Sequence, residues 1–174
     1  AKRPLILVGG GARLAGQAET IRKLVAALAV PAVVTWCALD IFDADNPLYG
    51  GNIGRTGNKS ANNVVRESDF LLALGTRFST KAIINEKNFS PRAKLVAVDI
   101  DTGELEDGLL SPQVKLKYDL RLFVPSLLRA AEKLAASPKQ SWITELKAKY
   151  FRPEKRAEKA PYVDPYGFFE TLSK

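Results

Sequence analysis

The chain has no histidine and a single cysteine among its 174 residues. Histidine is the commonest general base and the commonest transition-metal ligand, so this chain alone cannot build a Ser-His-Asp triad or a histidine-based zinc hydrolase. A lone Cys37 can form neither an internal disulfide nor a cysteine-based zinc site. These absences argue against acid–base catalysis by this chain, and they make the cytoplasm the expected compartment.

Long hydrophobic runs and dense patches of one charge are also missing. No apolar run approaches the roughly 20 residues that span a bilayer, and residues 1–8 are too short for a secretory signal. We therefore expect no membrane association. The formal net charge is +7, but basic and acidic residues are mixed along the chain as on an ordinary solvated surface. We therefore expect no nucleic-acid partner.

The most informative segment is Pro4–Gly16, where an apolar run ends in Gly9, Gly10 and Gly11 and a helix-like pattern follows. A buried parallel strand reads as a continuous apolar run, and glycine allows the backbone to approach a ligand closely. A strand that passes into a helix through such a loop presents free N–H groups to a phosphate. The segment predicts a nucleotide-type α/β unit at the start of the chain.

Strand and helix patterns alternate along the following residues. This alternation predicts a parallel sheet with helices on both faces, while residues 37–57, rich in Gly, Asn, Asp and Pro, predict a long loop. Ligands bind at the carboxyl ends of such strands, where we expect loops 9–16, 35–57, 75–80 and 99–104 to meet. The predicted strands are 4–8, 31–36, 69–74, 94–99 and 113–118, and the predicted helices are 16–28, 58–67 and 119–135.

The character of the sequence changes after Ala136. We expect one domain at residues 1–136 and, at 137–174, a helical linker followed by the start of another domain. A helix is predicted at 138–150, and the new element is predicted from Tyr162. The chain is therefore expected to be part of a longer protein.

The glycine loop does not match the dinucleotide fingerprint. That fingerprint needs G-x-G-x-x-G and an acidic residue about 20 positions later, at the end of the second strand. Leu14 stands at the third glycine position, and the second predicted strand ends in Thr35 and Trp36. No Gly-Lys-Ser/Thr follows the glycines, so the loop is not a P-loop. An NAD-dependent enzyme of related topology is kept as an alternative.

Charged residues after other strands fit an adenine nucleotide. Asp99 ends a predicted strand, where a carboxylate can accept hydrogen bonds from ribose hydroxyls. Arg77 can pair with a phosphate or stack on a flat ring, and Asp119 follows the last predicted strand, close to where an adenine would lie. Each of these residues alone is better explained as a helix cap or a surface charge, but together, on one edge of the sheet, they favour a bound adenine nucleotide.

Six sequence blocks follow one another along the chain: Arg3–Gly11, Pro47–Gly50, Gly54–Gly57, Ala61–Asn62, Ser68–Phe78 and Val98–Asp101. Their order and spacing resemble the central domain of thiamine-diphosphate-dependent enzymes of the acetolactate synthase (acetohydroxyacid synthase) group. The resemblance covers about residues 1–135, and residues 162–174 resemble the start of the diphosphate-binding domain of such enzymes.

The resemblance implies a three-layer Rossmann-like (deoxyhypusine-synthase-like) α/β domain within a larger enzyme. In that family thiamine diphosphate and Mg²⁺ bind between a pyrimidine-binding domain, which carries the activating Glu, and a diphosphate-binding domain, in homodimers or homotetramers. The chain is thus expected to bind neither group and to be inactive alone. The full-length enzyme, a transferase or lyase, would decarboxylate a 2-oxo acid such as pyruvate and transfer the product to an acceptor. A stand-alone nucleotide-binding module is the alternative.

In this family the central domain holds FAD, ADP or nothing. Thr56 replaces a family His, and Ser79–Lys81 replaces two acidic residues and an Arg, so all three possibilities stay open. No catalytic or metal-binding residue is expected in this chain. The implied cofactor contacts are Gly9, Gly10 and Gly11 for the ribityl or diphosphate, Thr35 and Trp36 for the adjoining part, Gly54, Gly57 and Arg77 for the flavin end, and Asp99, Ile100 and Asp119 for the ribose and adenine.

Overall fold

The computed structural model describes residues 1–134, 142, 144, 145, 148, 149 and 163–172. Its strands are β1 (Pro4–Val8), β2 (Ala32–Val34), β3 (Tyr49–Asn52), β4 (Phe70–Leu74), β5 (Lys94–Asp99) and β6 (Val114–Lys117). All neighbouring strands are parallel, and they form one sheet in the order β3-β2-β1-β4-β5-β6.

Helices lie between most successive strands, and two more of the described helices follow β6. They are α1 (Gly10–Leu14), α2 (Ala18–Leu28), α3 (Lys59–Glu67), α4 (Glu86–Phe89), α5 (Thr102–Glu106), α6 (Leu120–Ala131) and α7 (Pro165–Leu172), with a 3-10 helix at Trp36–Ile41. None of the helices in the described part of the chain has the length and apolarity needed to traverse a bilayer.

Alternate strand residues bury themselves in two cores, one on each face of the sheet. Leu5 and Leu7 of β1 belong to the core that includes α3, whereas Ile6 and Val8 belong to the core that includes α2 and α6. The central strands need side chains that are apolar on both faces, which is why their sequences are continuous apolar runs. This three-layer arrangement confirms the predicted α/β fold class with helices on both faces.

The prediction of one long loop at 37–57 is wrong. The segment contains all but the first residue of the Trp36–Ile41 3-10 helix and all of β3. The sequence of β3 is Tyr-Gly-Gly-Asn, which has neither the β-branched residues nor the alternation that mark a strand. Within the described part of the chain β3 pairs with β2 alone, at the edge of the sheet, and these backbone hydrogen bonds suffice without such side chains.

Other element boundaries shift by a few residues. The predicted helix at 16–28 starts at Ala18, because Gly16 has a positive φ of 68° and separates α2 from the short α1. The predicted alternating strand at 113–118 is β6, at the other edge of the sheet. The proposed domain boundary between residues 136 and 137 lies outside the described residues, as does most of the helix predicted at 138–150.

Trp142 is nevertheless described, and it is buried. Its side chain is 4% exposed and belongs to the core that contains Phe78 and Phe89. Its indole Nε1 is buried without a hydrogen-bond partner among the described residues. A residue beyond α6 therefore completes one of the two apolar cores.

The glycine loop after β1 interlocks with the loop after β4. The N–H groups of Gly9 and Gly11 donate to the carbonyl oxygens of Leu74 and Gly75, both at 2.9 Å. A Cβ on Gly9 would lie 2.2 Å from the Gly75 oxygen, and one on Gly11 would lie 2.9 Å from the Gly75 Cα. Gly75 has a positive φ of 58°. Only glycine fits this close backbone approach.

The strand order reverses at the same place. After β3 the chain crosses back over β2 and β1 to start β4 on the other side of β1. In open parallel sheets a crevice forms outside the carboxyl ends of the strands at such a switch point. The glycine interlock therefore forms the floor of the crevice between β1 and β4.

At the amino edge of the sheet, Asp69 joins the start of the chain to β4. Its carboxylate accepts hydrogen bonds from the backbone N–H groups of Lys2, at 2.7 Å, and Arg3, at 2.9 Å. Burial acts to raise the pKa of Asp69, but these donors outweigh it, so the pKa lies below its ordinary value. The ionised carboxylate is thus part of the folded structure.

Gly9→Ala is expected to lower the free energy of unfolding by more than about 2 kcal/mol, because the new methyl group must displace the backbone of Gly75. Gly103→Ala is the control: it lies inside α5, and its Cβ would be 3.3 Å from one Asp101 oxygen. We expect it to change stability by less than about 1 kcal/mol. Urea unfolding without ligand measures both. Equal losses of stability in the two variants would contradict the close backbone contact between Gly9 and Gly75.

Trp142→Ala is expected to lower the free energy of unfolding by about 3 kcal/mol, because it leaves a cavity in the core. Trp142→Phe is the matched variant: it keeps most of the apolar volume and removes an unpaired donor, so its cost should stay below about 1.5 kcal/mol. Urea unfolding of the 174-residue chain compares them. A negligible cost for Trp142→Ala would show that this residue does not belong to the folded core.

Asp69→Ala is expected to lower the free energy of unfolding by about 1–2 kcal/mol at pH 7. The folded pKa lies below the unfolded value of about 3.9, so the stabilisation is present above that value and is lost as pH falls through the folded pKa. The stability gap between wild type and variant should therefore narrow below about pH 4. Denaturant titrations from pH 7 to 3 test this, with exposed Asp45→Ala as control. A gap that does not vary with pH would refute it.

Candidate functional site

The candidate site is the carboxyl edge of the sheet, with its centre at the crevice between β1 and β4. Backbone bonds there already engage the N–H groups of Gly9, Gly11 and Ala12, the last of which donates to the Gly9 oxygen. The backbone hydrogen bonds of the described residues include none donated by Gly10, which is the first residue of α1. Gly10 therefore offers the loop's N–H to a ligand, whereas Gly9 and Gly11 chiefly shape the loop. The ligand contacts of all three glycines stay a prediction.

Thr35 and Trp36 lie beside the glycine loop. The Thr35 N–H donates to the Val8 carbonyl at 2.9 Å, which holds the end of β2 against the end of β1. Trp36 begins the 3-10 helix and is 65% exposed. A Cβ on Gly10 would lie 2.9 Å from the Cys37 Cβ, so this helix packs closely on the loop. The exposed indole is a flat apolar surface next to the crevice.

An ion pair that the sequence does not predict crosses the same corner. Arg13 of α1 donates through Nε to the Asp40 carboxylate, at 2.7 Å to Oδ2 and 2.9 Å to Oδ1. This hydrogen bond lowers the pKa of Asp40 and raises that of Arg13. Both side chains are exposed. The two residues are 27 positions apart, and no local pattern signals such a contact.

Gly54 and Gly57 lie in the loop after β3, which is held from two sides. Asn62 of α3 accepts a hydrogen bond from the Gly54 N–H and donates one to the Gly54 carbonyl, both at 3.0 Å. The Arg55 N–H donates to the Lys81 carbonyl at 3.0 Å. Gly54 has a positive φ of 112°, and a Cβ there would lie 2.5 Å from the Lys81 oxygen. These contacts hold the loop against α3 and Lys81. A Cβ on Gly57 would lie 2.5 Å from the Asn52 oxygen, so both glycines serve this packing, and their ligand contacts stay a prediction.

Arg77 is paired within the protein. Its Nε lies 2.8 Å from Oε1 of Glu104, which belongs to α5 and is 26% exposed. The pair joins the loop after β4 to the helix after β5. Because the Arg77 side chain is 76% exposed, its remaining guanidinium donors face solvent at the crevice rim, where a phosphate or ring would approach.

Asp99 is the last residue of β5. One carboxylate oxygen accepts the Asp101 N–H at 3.0 Å, and the backbone oxygen accepts the Tyr118 N–H at 2.9 Å. None of the hydrogen bonds between described residues engages the second carboxylate oxygen, which leaves it available for a ligand hydroxyl. Ile100 is 62% exposed beside it. Asp101, in contrast, caps α5 through the Gly103 N–H at 2.8 Å.

Asp119 is the N-cap of α6. Its carboxylate accepts the Arg121 N–H at 2.8 Å, and the Arg121 guanidinium binds it through Nε and Nη2, the latter at 2.6 Å. These bonds from Arg121 hold the pKa of Asp119 below its ordinary value. The capping role accounts for this residue in the folded chain, and its place near an adenine stays a prediction.

The predicted site residues all lie on one edge but are not all close together. They follow β3, β2, β1, β4, β5 and β6, so five inter-strand spacings separate the ends of the set. At about 4.8 Å per spacing this edge is roughly 24 Å long. Only an extended ligand can reach from Gly54 to Asp119, whereas a mononucleotide covers the part between β1 and β5.

The chemistry of these groups fits an adenine nucleotide. The crevice offers a backbone N–H and a guanidinium for phosphate oxygens, a carboxylate oxygen for ribose hydroxyls and exposed apolar side chains for a ring. These are the groups at Gly10, Arg77, Asp99, Trp36 and Ile100. Among the described residues, no three His, Cys, Asp or Glu side chains gather as a metal ion would require.

Comparison with known proteins gives consistent matches. The family "Thiamine pyrophosphate enzyme, central domain" matches residues 1–127. The acetolactate synthase isozyme 2 large subunit of Escherichia coli is 36% identical over 127 residues, which are 73% of this chain and 23% of that protein. The probable acetolactate synthase large subunit of Methanocaldococcus jannaschii is 32% identical over 145 residues, 83% of this chain and 24% of that protein.

The acetolactate synthase large subunit of Corynebacterium glutamicum aligns with the whole chain. It is 31% identical over 178 aligned positions, which cover 100% of this chain and 28% of that protein. The chain thus spans about a quarter of the length of the curated relatives that it matches. The family match over residues 1–127, on a six-stranded sheet of the expected kind, shows that this chain belongs to the thiamine pyrophosphate enzymes and is their central domain.

Proposed function

We propose that this chain is the central domain of an acetolactate synthase-like enzyme that decarboxylates a 2-oxo acid such as pyruvate and transfers the product to an acceptor. The family match carries the proposal, and the relatives are named as acetolactate synthase large subunits. In the whole protein we expect a homodimer or homotetramer, located in the cytoplasm.

The proposed division of labour gives this chain no catalytic residue. Thiamine diphosphate with Mg²⁺, held between the pyrimidine-binding and diphosphate-binding domains, supplies the decarboxylation chemistry, and the protein supplies binding and orientation. The residues of this chain would act as a rigid scaffold between those domains. Its two apolar cores and the glycine interlock support this role, because they fix the carboxyl edge.

At that edge we propose an adenine nucleotide, FAD or ADP, which serves structure and not redox chemistry. Gly10 would donate to a phosphate and Arg77 would stabilise its charge. The free oxygen of Asp99 would accept from the ribose, and Trp36 and Ile100 would contact rings. The length of the edge supports FAD if the ligand also contacts Gly54 and Gly57, after β3, and ADP if the ligand ends at Gly10, after β1.

A stand-alone nucleotide-binding module is the second candidate. The observation that favours it is that the described residues form a six-stranded sheet with an apolar core on each face. An NAD-dependent enzyme has less support. β2 ends at Val34 and is followed by Thr35 and Trp36, so no carboxylate stands where NAD enzymes bind the ribose.

Asp99→Asn is expected to weaken binding of FAD or ADP about tenfold, because a charge-assisted hydrogen bond becomes a neutral one. Asp107→Asn, an exposed carboxylate at the end of α5, is the matched control and should change affinity less than twofold. Calorimetric titration with each nucleotide measures the effect. Unchanged affinity in Asp99→Asn, or equal losses in both variants, would remove the ribose assignment. A flavin absorbance spectrum in the purified protein would identify FAD.

The 174-residue chain with added thiamine diphosphate, Mg²⁺ and pyruvate is expected to release no carbon dioxide and to form no acetolactate. The same assay on a longer protein that includes the two other domains should show both. Turnover by the 174-residue chain would contradict the scaffold role. A longer protein that consumes other 2-oxo acids but not pyruvate would correct the substrate and leave the scaffold role intact.

A further inference from the structure

A second concave site lies at the amino edge of the sheet, opposite the nucleotide crevice. It is a cavity of about 370 Å³, lined by Arg3, Arg66, Arg92 and Lys149 together with Glu67 and Glu145. Arg3 precedes β1, Arg92 precedes β5, and Arg66 lies in the last turn of α3. Four cations from separate parts of the chain therefore converge on one cavity with two carboxylates.

Two of these cations form ion pairs with the carboxylates. Glu67 is only 16% exposed, and its oxygens bind Arg3 Nη1 at 2.9 Å and Lys149 Nζ at 3.2 Å. Arg3 Nη2 also lies 3.6 Å from Glu145. These contacts hold the wall of the cavity in place, and the cations of Arg3 and Lys149 offset the negative charges of the two carboxylates.

Among the described residues, Arg66 and Arg92 have no such compensation. Both side chains are exposed, and no carboxylate of the described residues lies within 4.0 Å of either one. Four cations against two carboxylates leave a formal surplus of two positive charges in the cavity. An unpaired guanidinium pair in a concavity suits a planar or tetrahedral oxyanion, since each presents a fork of N–H donors.

We propose that this amino-edge cavity binds a small dianion with oxygen ligands, such as a phosphate ester or a dicarboxylate. Arg66 and Arg92 hold its negative charges, and the ion-paired Arg3 and Lys149 form the cavity wall. Two negative charges match the surplus, while a monoanion leaves one guanidinium unpaired. The volume lies within the range of small-molecule sites. The site is separate from the nucleotide crevice, because it lies at the amino ends of the strands, whereas the crevice lies at their carboxyl ends.

Calorimetric titration of the 174-residue chain at constant ionic strength tests the proposal, with inorganic phosphate, succinate and acetate as probes. Phosphate or succinate should bind saturably and about fivefold more tightly than acetate. Arg66→Gln and Arg92→Gln should each weaken that binding about fivefold or more. Arg129→Gln, an exposed arginine on α6 remote from the cavity lining, is the matched control and should change it less than twofold.

The binding results identify the class of dianion and decide whether the cavity is a site. Binding of phosphate alone assigns a phosphate ester, binding of succinate alone assigns a dicarboxylate, and either supports the site. No saturable binding, binding insensitive to both Arg66→Gln and Arg92→Gln, or an equal loss in Arg129→Gln overturns it. If a Gln variant melts at a lower temperature, Arg66→Lys and Arg92→Lys keep the charge and should restore part of the affinity. Asp99→Asn should leave dianion binding unchanged, so failure here is distinguishable from failure of the nucleotide proposal.

Discussion

The backbone contact between the glycine loop and Gly75 determines the carboxyl edge of this domain. The N–H groups of Gly9 and Gly11 donate to the carbonyl oxygens of Leu74, the last residue of β4, and of Gly75, and the Gly75 N–H donates in turn to the Val98 oxygen of β5 at 2.9 Å. Three neighbouring strands are thus joined beyond their last paired residues. Side chains at these glycines would separate the loops, so the crevice depends on the absence of Cβ atoms more than on any side chain.

The same contact changes what a glycine-rich loop means in this protein. Such a loop suggests direct phosphate binding, but here Gly9 and Gly11 donate to other described residues, and no donation by the Gly10 N–H is found among them. The polar groups that a nucleotide would need come from other strands, at Arg77 and Asp99. The loop shapes the crevice, and the neighbouring strand ends supply its chemistry.

The sequence predicts the parts of this structure that depend on local pattern. The apolar runs of β1, β4 and β5 signal buried parallel strands, and the capping residue Asp119 signals the start of α6. The Gly-rich β3 has no such pattern, because its position is decided by pairing with β2. Contacts such as Arg13–Asp40 and Arg77–Glu104 join distant segments. No sequence period encodes them, so they require the structure.

Amide hydrogen exchange followed residue by residue by NMR, with and without ADP, tests the nucleotide scaffold most directly. The N–H groups of Gly9 and Gly11 are bonded within the protein, so they should exchange slowly in both states. The N–H of Gly10 should exchange quickly without ADP and slowly with it. Protection of Gly10 on binding would support the account. Fast exchange at Gly9 and Gly11, or saturation with ADP that leaves Gly10 unprotected, would contradict it.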